Sequence, residues 1–324
     1  MISVVMPMRN AEPFVGAAVG SILQERRIPF ELIVVDDGST DRSRNVVESI
    51  GDSRLDVVEG PQRGIAASFN TGARLARGDI VMTCDADDLF MPGRMWAQYQ
   101  WLSDHPELDA VCGRFDTVDS KGLVVATLFQ EPRYSLVADI SRELASGVLR
   151  THLCTFAWRR SVFERIGYQR EYFETGQDLD FQLRMGEQCK VAYLPIDAYR
   201  YRLHEASITH VQSDAKRKFF EVTAHSFQTE RQSRGADSLS EGRAPVPPTS
   251  DQRGSMSVTA QIQGMLVGRA WQQFDNADLL ESVKTACRAA SAAPLRATGW
   301  LQLAKLIYKG GKQVLFGLAA RRDG

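Results

Sequence analysis

The chain has 324 residues, 44% hydrophobic and 24% charged, with a formal net charge of -1, which fits one large globular domain plus an appendage. So balanced a charge excludes global attraction to nucleic acid, and an anionic partner must be held by a local site. Five cysteines, none in a C-x-x-C spacing, argue for reduced thiols rather than a disulfide frame or zinc site. With no apolar run long enough to cross a bilayer and no leader pattern at the start, a cytoplasmic location is expected.

Short apolar runs then alternate with helical periods. Strands are predicted over Ile2 to Met6, Leu32 to Val35, Leu55 to Val58 and Ile80 to Thr83, with helices from about Glu12 to Gln24, after Asp41, and from about Ala66 to Arg77. This order predicts an α/β domain with a mainly parallel sheet, and the nearly continuous apolar strands imply helices on both faces. Ligands of such sheets bind beyond the strand C-termini. Those places hold Pro7-Met-Arg-Asn10, Asp36-Asp-Gly-Ser-Thr-Asp41 and Asp85-Ala-Asp-Asp88. A catalytic domain is expected over 1–210, followed by a helix over 211–234 that packs on it or leaves it. Gly, Ser and Pro enrichment over 235–257 reads as a flexible linker or loop. Periodic segments Val258 to Phe274, Ala277 to Ala290 and Arg296 to Ala320 make 258–324 a helical appendage.

Asp85 and Asp87 put two hard carboxylates at the end of a buried strand, a pair suited to Mg²⁺ or Mn²⁺ on a diphosphate. An isolated D-x-D is usually a solvated acidic turn; two other polar strand ends beside it favour a site. Gly38 gives the second strand end its turn, and Ser39 to Asp41 can cap the next helix. The carboxylate of Asp37 is left to hydrogen-bond a base or ribose.

Val4-Val-Met-Pro-Met-Arg-Asn10, Val34-Val-Asp-Asp-Gly-Ser-Thr-Asp41, Gly64-Ile-Ala-Ala-Ser-Phe-Asn-Thr-Gly72 and Gly78-Asp-Ile-Val-Met-Thr-Cys-Asp-Ala-Asp-Asp88 together resemble, in order and spacing, the inverting glycosyltransferases of the GT-A fold, family two, over about residues 1–210. The resemblance implies the nucleotide-diphospho-sugar transferase fold, Rossmann-like with a mainly parallel sheet, here with a C-terminal helical appendage. It implies transfer of a sugar from a nucleoside diphosphate donor, UDP-linked, to a hydroxyl of a carbohydrate or lipid-linked acceptor, with inversion and Mn²⁺ or Mg²⁺, in cell-surface polysaccharide or glycolipid assembly. Pro7, Arg9, Asn10 and Asp37 would then line the nucleotide site, Asp85 would lie near the ribose or metal, and Asp87 would be the principal metal ligand. Asn70 and Arg74 would face the nucleotide; Ser68-Phe69-Asn70 departs from the family's small-Arg-Asn pattern, and Arg63 is a substitute for the missing base.

Glu174-Thr-Gly-Gln-Asp-Leu-Asp-Phe-Gln-Leu-Arg184 is similar to the family's Glu-Asp motif, which makes Asp178 the general base and leaves Gln177 in place of the Glu. Alone, Asp178 would read as a helix N-cap; Asp180 is the competing acid on the acceptor side. Arg200-Tyr-Arg-Leu-His204 resembles the segment that closes over the pyrophosphate, with Arg202 pairing phosphate and His204 a third metal ligand, a phosphate donor or a structural residue. His152 falls where the family presents its acceptor wall.

Two other readings compete. A sugar nucleotidyltransferase would carry a Gly-rich loop after the first strand, where no Gly-x-Gly occurs; an inactive nucleotide-sugar-binding homologue stays open because of Gln177. In the tail, over 295–322, Trp300, Leu303, Ala304, Ile307, Val314, Leu315 and Leu318 share a helical stripe opposite Gln302, Lys305, Lys309 and Lys312. Such a helix either packs on its neighbours, the commoner fate, or lies peripherally on the inner face of an anionic membrane.

Overall fold

The computed structural model describes residues 1–127, 135–205, 207, 213–249 and 257–320, with side chains described as far as 309. They form two compact units, one of Met1–Phe115, Phe129–Arg202 and Gln212–Gln252, the other of Asp116–Leu128, Leu203–Val211 and Arg253–Gly324. In chain order the elements are β1 (Ile2–Met8), α1 (Glu12–Leu23), β2 (Phe30–Asp36), α2 (Ser43–Glu48), β3 (Leu55–Glu59), α3 (Ile65–Leu75), β4 (Ile80–Thr83), β5 (Leu89–Phe90), α4 (Arg94–Asp104), β6 (Ala110–Val118), β7 (Val124–Thr127) and β8 (Ala138–Asp139). Then come α5 (Ser141–Ala145), β9 (Ala157–Arg159), α6 (Val162–Ile166), α7 (Gln177–Gln188), β10 (Val191–Arg202), α8 (Asp214–Arg234), α9 (Val258–Asp275), α10 (Leu279–Ala292) and α11 (Ala297–Ala320).

In the first unit β3, β2, β1 and β4 are parallel neighbours, as the alternation of strands and helices predicts. The sheet continues through β9, antiparallel to β4, and on through β6, β10 and β5, a half that the apolar runs did not announce. Met8 lies opposite Asp36 and Val5 opposite Thr83, so the C-terminal ends of β2, β1 and β4 stand side by side.

Both faces of this sheet are buried, which is why its strands read as unbroken apolar runs. Val4, Met6, Leu32, Val34 and Met82 enter one core with Val15, Val19 and Ile22 of α1, while Val5, Ile33, Val35 and Val81 enter the other with Phe69, Trp158 and Phe181. Gly72 lets α3 approach β1 closely, since a Cβ there would stand 2.5 Å from Val5 Cγ1.

α8 packs on α7 through Phe220, Ala224 and Phe227 against Phe173 and Leu183. Arg231 of α8 bonds Glu187 of α7, and both Arg231 and Arg170 bond Asp237, the two Asp237 contacts at 2.6 Å. The start of the Gly, Ser and Pro-rich stretch is thereby tied to this unit: Asp237 is buried, and Pro245 O accepts the Tyr172 hydroxyl at 2.6 Å.

In the second unit α9, α10 and α11 meet around Ala270, Phe274, Ala286 and Leu306. Arg269 and Arg288 both donate to Val124 O of β7, which pairs with the Asp116–Val118 end of β6. The expected stripe of α11 is divided rather than buried whole. Leu306 is 1% exposed and Leu303 half-buried, whereas Trp300, Ala304 and Ile307 face outward, because only one side of the helix meets α9 and α10. Val314, Leu315 and Leu318 lie outside the described side chains.

Candidate active site

The loops after β1 and β2 hold each other. Asn10, at φ 52°, accepts the Thr40 amide at 2.8 Å on its side-chain oxygen and donates its own amide to Ser39 Oγ at 3.0 Å. Asp36 accepts the Ser39 amide at 3.0 Å. Asp37 is buried, its two oxygens accepting the amides of Gln62 at 2.7 Å and Gly64 at 3.0 Å. Its first task is therefore to shape the wall; the carboxylate keeps further lone pairs for a ligand. Gly60 is needed at that turn, since a Cβ would stand 2.8 Å from Asp37 Oδ1. Pro7 is half-buried in β1 and Arg9 exposed just beyond it.

After β4 the chain turns at Asp85, whose amide donates to the Tyr199 hydroxyl of β10 at 3.0 Å. Asp85 and Asp87 are half-buried and Asp88 fully buried. Asp88 Oδ1 accepts the Arg202 amide at 2.6 Å, and its buried Oδ2 meets no partner. Burial, then the charges of Asp87 and Asp85, pushes the Asp88 carboxyl well above the usual carboxylate range. The Asp85 carboxyl is pushed up to about 6, first by burial and then by Asp87, with His152 opposing and Asp178 adding to the rise. Crowded oxygen donors with one buried oxygen unsatisfied fit a hard divalent cation. Asp85, His152 and Cys154 also bring ligand atoms within 4.8 Å of one another, a mixed oxygen, nitrogen and sulfur set.

His152 precedes a short 3-10 turn, Leu153–Thr155. Its Nδ1 accepts the Cys154 amide at 3.3 Å, which assigns the ring proton to Nε2, and Nε2 lies 3.5 Å from Asp178 Oδ2. The ring is flanked by Phe115, Tyr199 and Tyr201, with centroids 5.7 to 6.2 Å away. Asp178 is not the N-cap of α7. Gly176, at φ 75°, holds that position, and Asp178 stands in the first turn, where the helix dipole favours its negative charge. Gln177 is buried, with Oε1 unpartnered.

Three expected site residues are turned to other work. Asn70 is buried and clasps the backbone of Gln169, donating to its carbonyl at 2.8 Å and accepting its amide at 3.0 Å, because its face of α3 points into the unit. Asp180 is 0% exposed and bonded to Arg170 and Arg184, which closes it off from the surface. Arg202 is buried, and its Nε donates to Asp87 O at 2.7 Å: it braces the acidic loop. Arg63 pairs with Glu171 at 2.9 Å, and Arg74 lies over the Tyr168 ring. His204 belongs to the second unit, where its carbonyl accepts the Ser207 amide.

Sequence reasoning missed the support behind His152. Arg94 of α4 is 1% exposed and donates to Cys154 O at 2.7 Å, Phe156 O at 3.2 Å and Gln98 Oε1 at 3.0 Å; Gln98 donates to Thr155 O at 2.7 Å. An Arg and a Gln four apart on the inner face of a helix were the available signal.

Residues 3–167 match the family model described as glycosyl transferase family 2. An uncharacterized glycosyltransferase EpsJ of Bacillus subtilis (strain 168) is 26% identical over 223 residues, 65% of this chain and 63% of that one. Escherichia coli WfgD, a UDP-Glc:alpha-D-GlcNAc-diphosphoundecaprenol beta-1,3-glucosyltransferase, is 26% identical over 125 residues, 38% of this chain and 49% of that one. The chain thus spans between about half and two thirds of the length of these curated relatives. Residues 1–349 of S. aureus TarS, crystallised with UDP-GlcNAc, superpose with a TM-score of 0.59 at 17% identity, covering 90% of this chain and 81% of that one, a likeness of fold. With the family model spanning the strand ends and their acidic loops, the chain belongs to glycosyl transferase family 2.

Proposed function

We propose that the protein transfers a sugar from a UDP-sugar to a hydroxyl of a carbohydrate or lipid-linked acceptor, with inversion and a divalent cation, in cell-surface polysaccharide or glycolipid assembly at the inner face of the membrane. The observation that carries this reading is the convergence of Asp85 and Asp178 on His152, a strand-end acid of the donor side facing a helix-start acid of the acceptor side. Inverting transfer needs that division, because the acceptor oxygen attacks the anomeric carbon from the side opposite the departing diphosphate. A named UDP-glucose enzyme among the relatives and a UDP-GlcNAc complex among the structural neighbours support the donor class.

In this reading Pro7, Arg9, Asn10 and Asp37 bound the nucleotide pocket, and Asp178 takes the proton of the acceptor hydroxyl. His152 Nε2, the protonated ring nitrogen, stands 3.5 Å from Asp178 Oδ2 and would support that carboxylate as a polar neighbour. Arg202 and Tyr199 fix the backbone of the acidic loop. Asp87 and Asp85 would hold Mn²⁺ or Mg²⁺, and a cation bound there would neutralise charge on the leaving diphosphate.

Release of UDP from UDP-glucose and UDP-GlcNAc, with and without Mn²⁺ or Mg²⁺, tests this. Cation-dependent release that Asp87→Asn abolishes while the fold is kept is the expected result. Release that ignores both cation and substitution overturns the assignment, and UDP-sugar binding without any release means a binding homologue.

A further inference from the structure

We infer that the outward face of α11 is a docking surface for an anionic lipid bilayer. Leu306 fixes the inward side of this helix against α9 and α10. On the other side Trp300 is 50% exposed, Leu301 59%, Ile307 54% and Tyr308 65%, a contiguous apolar sector over two turns of helix. Gly299 keeps the inward side close: a Cβ there would stand 2.5 Å from Gln263 Nε2 and 2.9 Å from Ala290 Cα. The packing of the second unit therefore leaves the outward residues out of its own core.

The occupant is argued from charge and residue type. From Ser282 to Arg322 the sequence contains basic residues and not one acid. Lys305 and Lys309 are exposed beside the apolar sector, and Arg296 just before it. A Trp and a Tyr with Leu and Ile, edged by cations, is the composition of a helix lying in a headgroup layer. A second copy of the same face would bring like charges together, which opposes a symmetric self-contact. No helix among the described residues is long and apolar enough to cross a membrane. The inference deepens the proposed function by naming the surface that would keep the enzyme beside a lipid-linked acceptor, yet it requires no turnover.

The test is co-sedimentation of the full chain with phosphatidylcholine vesicles containing or lacking phosphatidylglycerol, beside Leu301→Glu/Ile307→Glu. The expected result is binding to the anionic vesicles only, weakened at high salt and lost in the variant, with thermal melting and UDP release unchanged. The proposal is overturned if the full chain ignores anionic vesicles at low salt or if the variant binds as well as the parent. It is equally overturned if sedimentation without lipid shows a dimer that the variant dissolves, since the face is then an interface between copies. Loss of UDP release without loss of vesicle binding would count against the catalytic reading alone.

Discussion

Nε2 of His152 lies 3.5 Å from Oδ2 of Asp178, and the same ring accepts the Cys154 amide on Nδ1. The imidazole is thus held in one tautomer by a backbone bond, with its proton on the nitrogen nearer the carboxylate proposed as base. His152→Ala should lower the rate of transfer by about ten- to a hundredfold, because the base loses the polar ring standing beside it and with it part of its positioning. Donor affinity should stay unchanged. Isothermal titration with UDP beside steady-state kinetics checks this, and an equal loss in both would assign His152 to donor binding instead.

Asp178 and Asp180 are two residues apart on α7 and should fail in different ways. Asp178 is half-exposed, so Asp178→Asn should cut turnover by about 10² to 10⁴-fold and leave stability nearly intact. Asp180 is the shared counter-ion of Arg170 and Arg184, and Asp180→Asn leaves buried guanidinium charge poorly matched, a loss of about 3 kcal/mol. Denaturant titration and turnover of the folded fraction separate the two. Lost turnover in a fully stable Asp180→Asn protein would reverse the assignment.

Asp85 gives a pH prediction. Its folded carboxyl titrates at about 6, raised first by burial and then by Asp87, above the range of an unfolded carboxyl. A raised acid binds its proton more tightly in the folded state, so ionising it costs stability; that cost is absent below about pH 4 and complete above about pH 6. Without added cation, Asp85→Asn should therefore melt higher than the parent at pH 7, by about 1 kcal/mol for this half-buried group, and the gap should close as pH falls from 6 to 4. Melting curves across that range check the sign. A gap that widens toward acid would mean the carboxylate is stabilised, not strained.

Much of this was legible in the sequence where one physical signal sufficed. Buried parallel strands are written as continuous apolar runs, so β1, β2 and β4 and the acids at their ends could be found from residue order. Helical face and tertiary partner are not written that way. Asn70 and Asp180 sit in the expected elements, but only packing shows that one clasps Gln169 and the other balances two arginines. Asp237 lies in a stretch whose composition reads as linker, and two guanidiniums bind it. The apolar stripe of α11 was visible, while its division into a buried and an exposed half depends on where α9 and α10 lie.

Arg94 supports the last prediction. Its guanidinium is buried beneath the turn that carries His152, over the Phe90 ring at 3.9 Å, and it serves Cys154 O and Phe156 O together. Burial lowers its pKa to about 10, still well above neutral pH, so the group stays charged with backbone carbonyls as its acceptors. Arg94→Met keeps much of the volume but leaves those carbonyls without donors, at about 1 to 3 kcal/mol for each buried acceptor. Arg94→Lys keeps the charge but offers a point donor where a planar fork bridges two oxygens, so it should recover only part of the loss. Both variants should also slow transfer more than they weaken UDP binding, since the carbonyls they release belong to the turn that positions His152 and Asp85 lies across from it. Denaturant midpoints, UDP titration and turnover of the folded protein together check this. If Arg94→Met is as stable and as active as the parent, the turn holds its shape without Arg94 and the support assigned to this side chain is wrong.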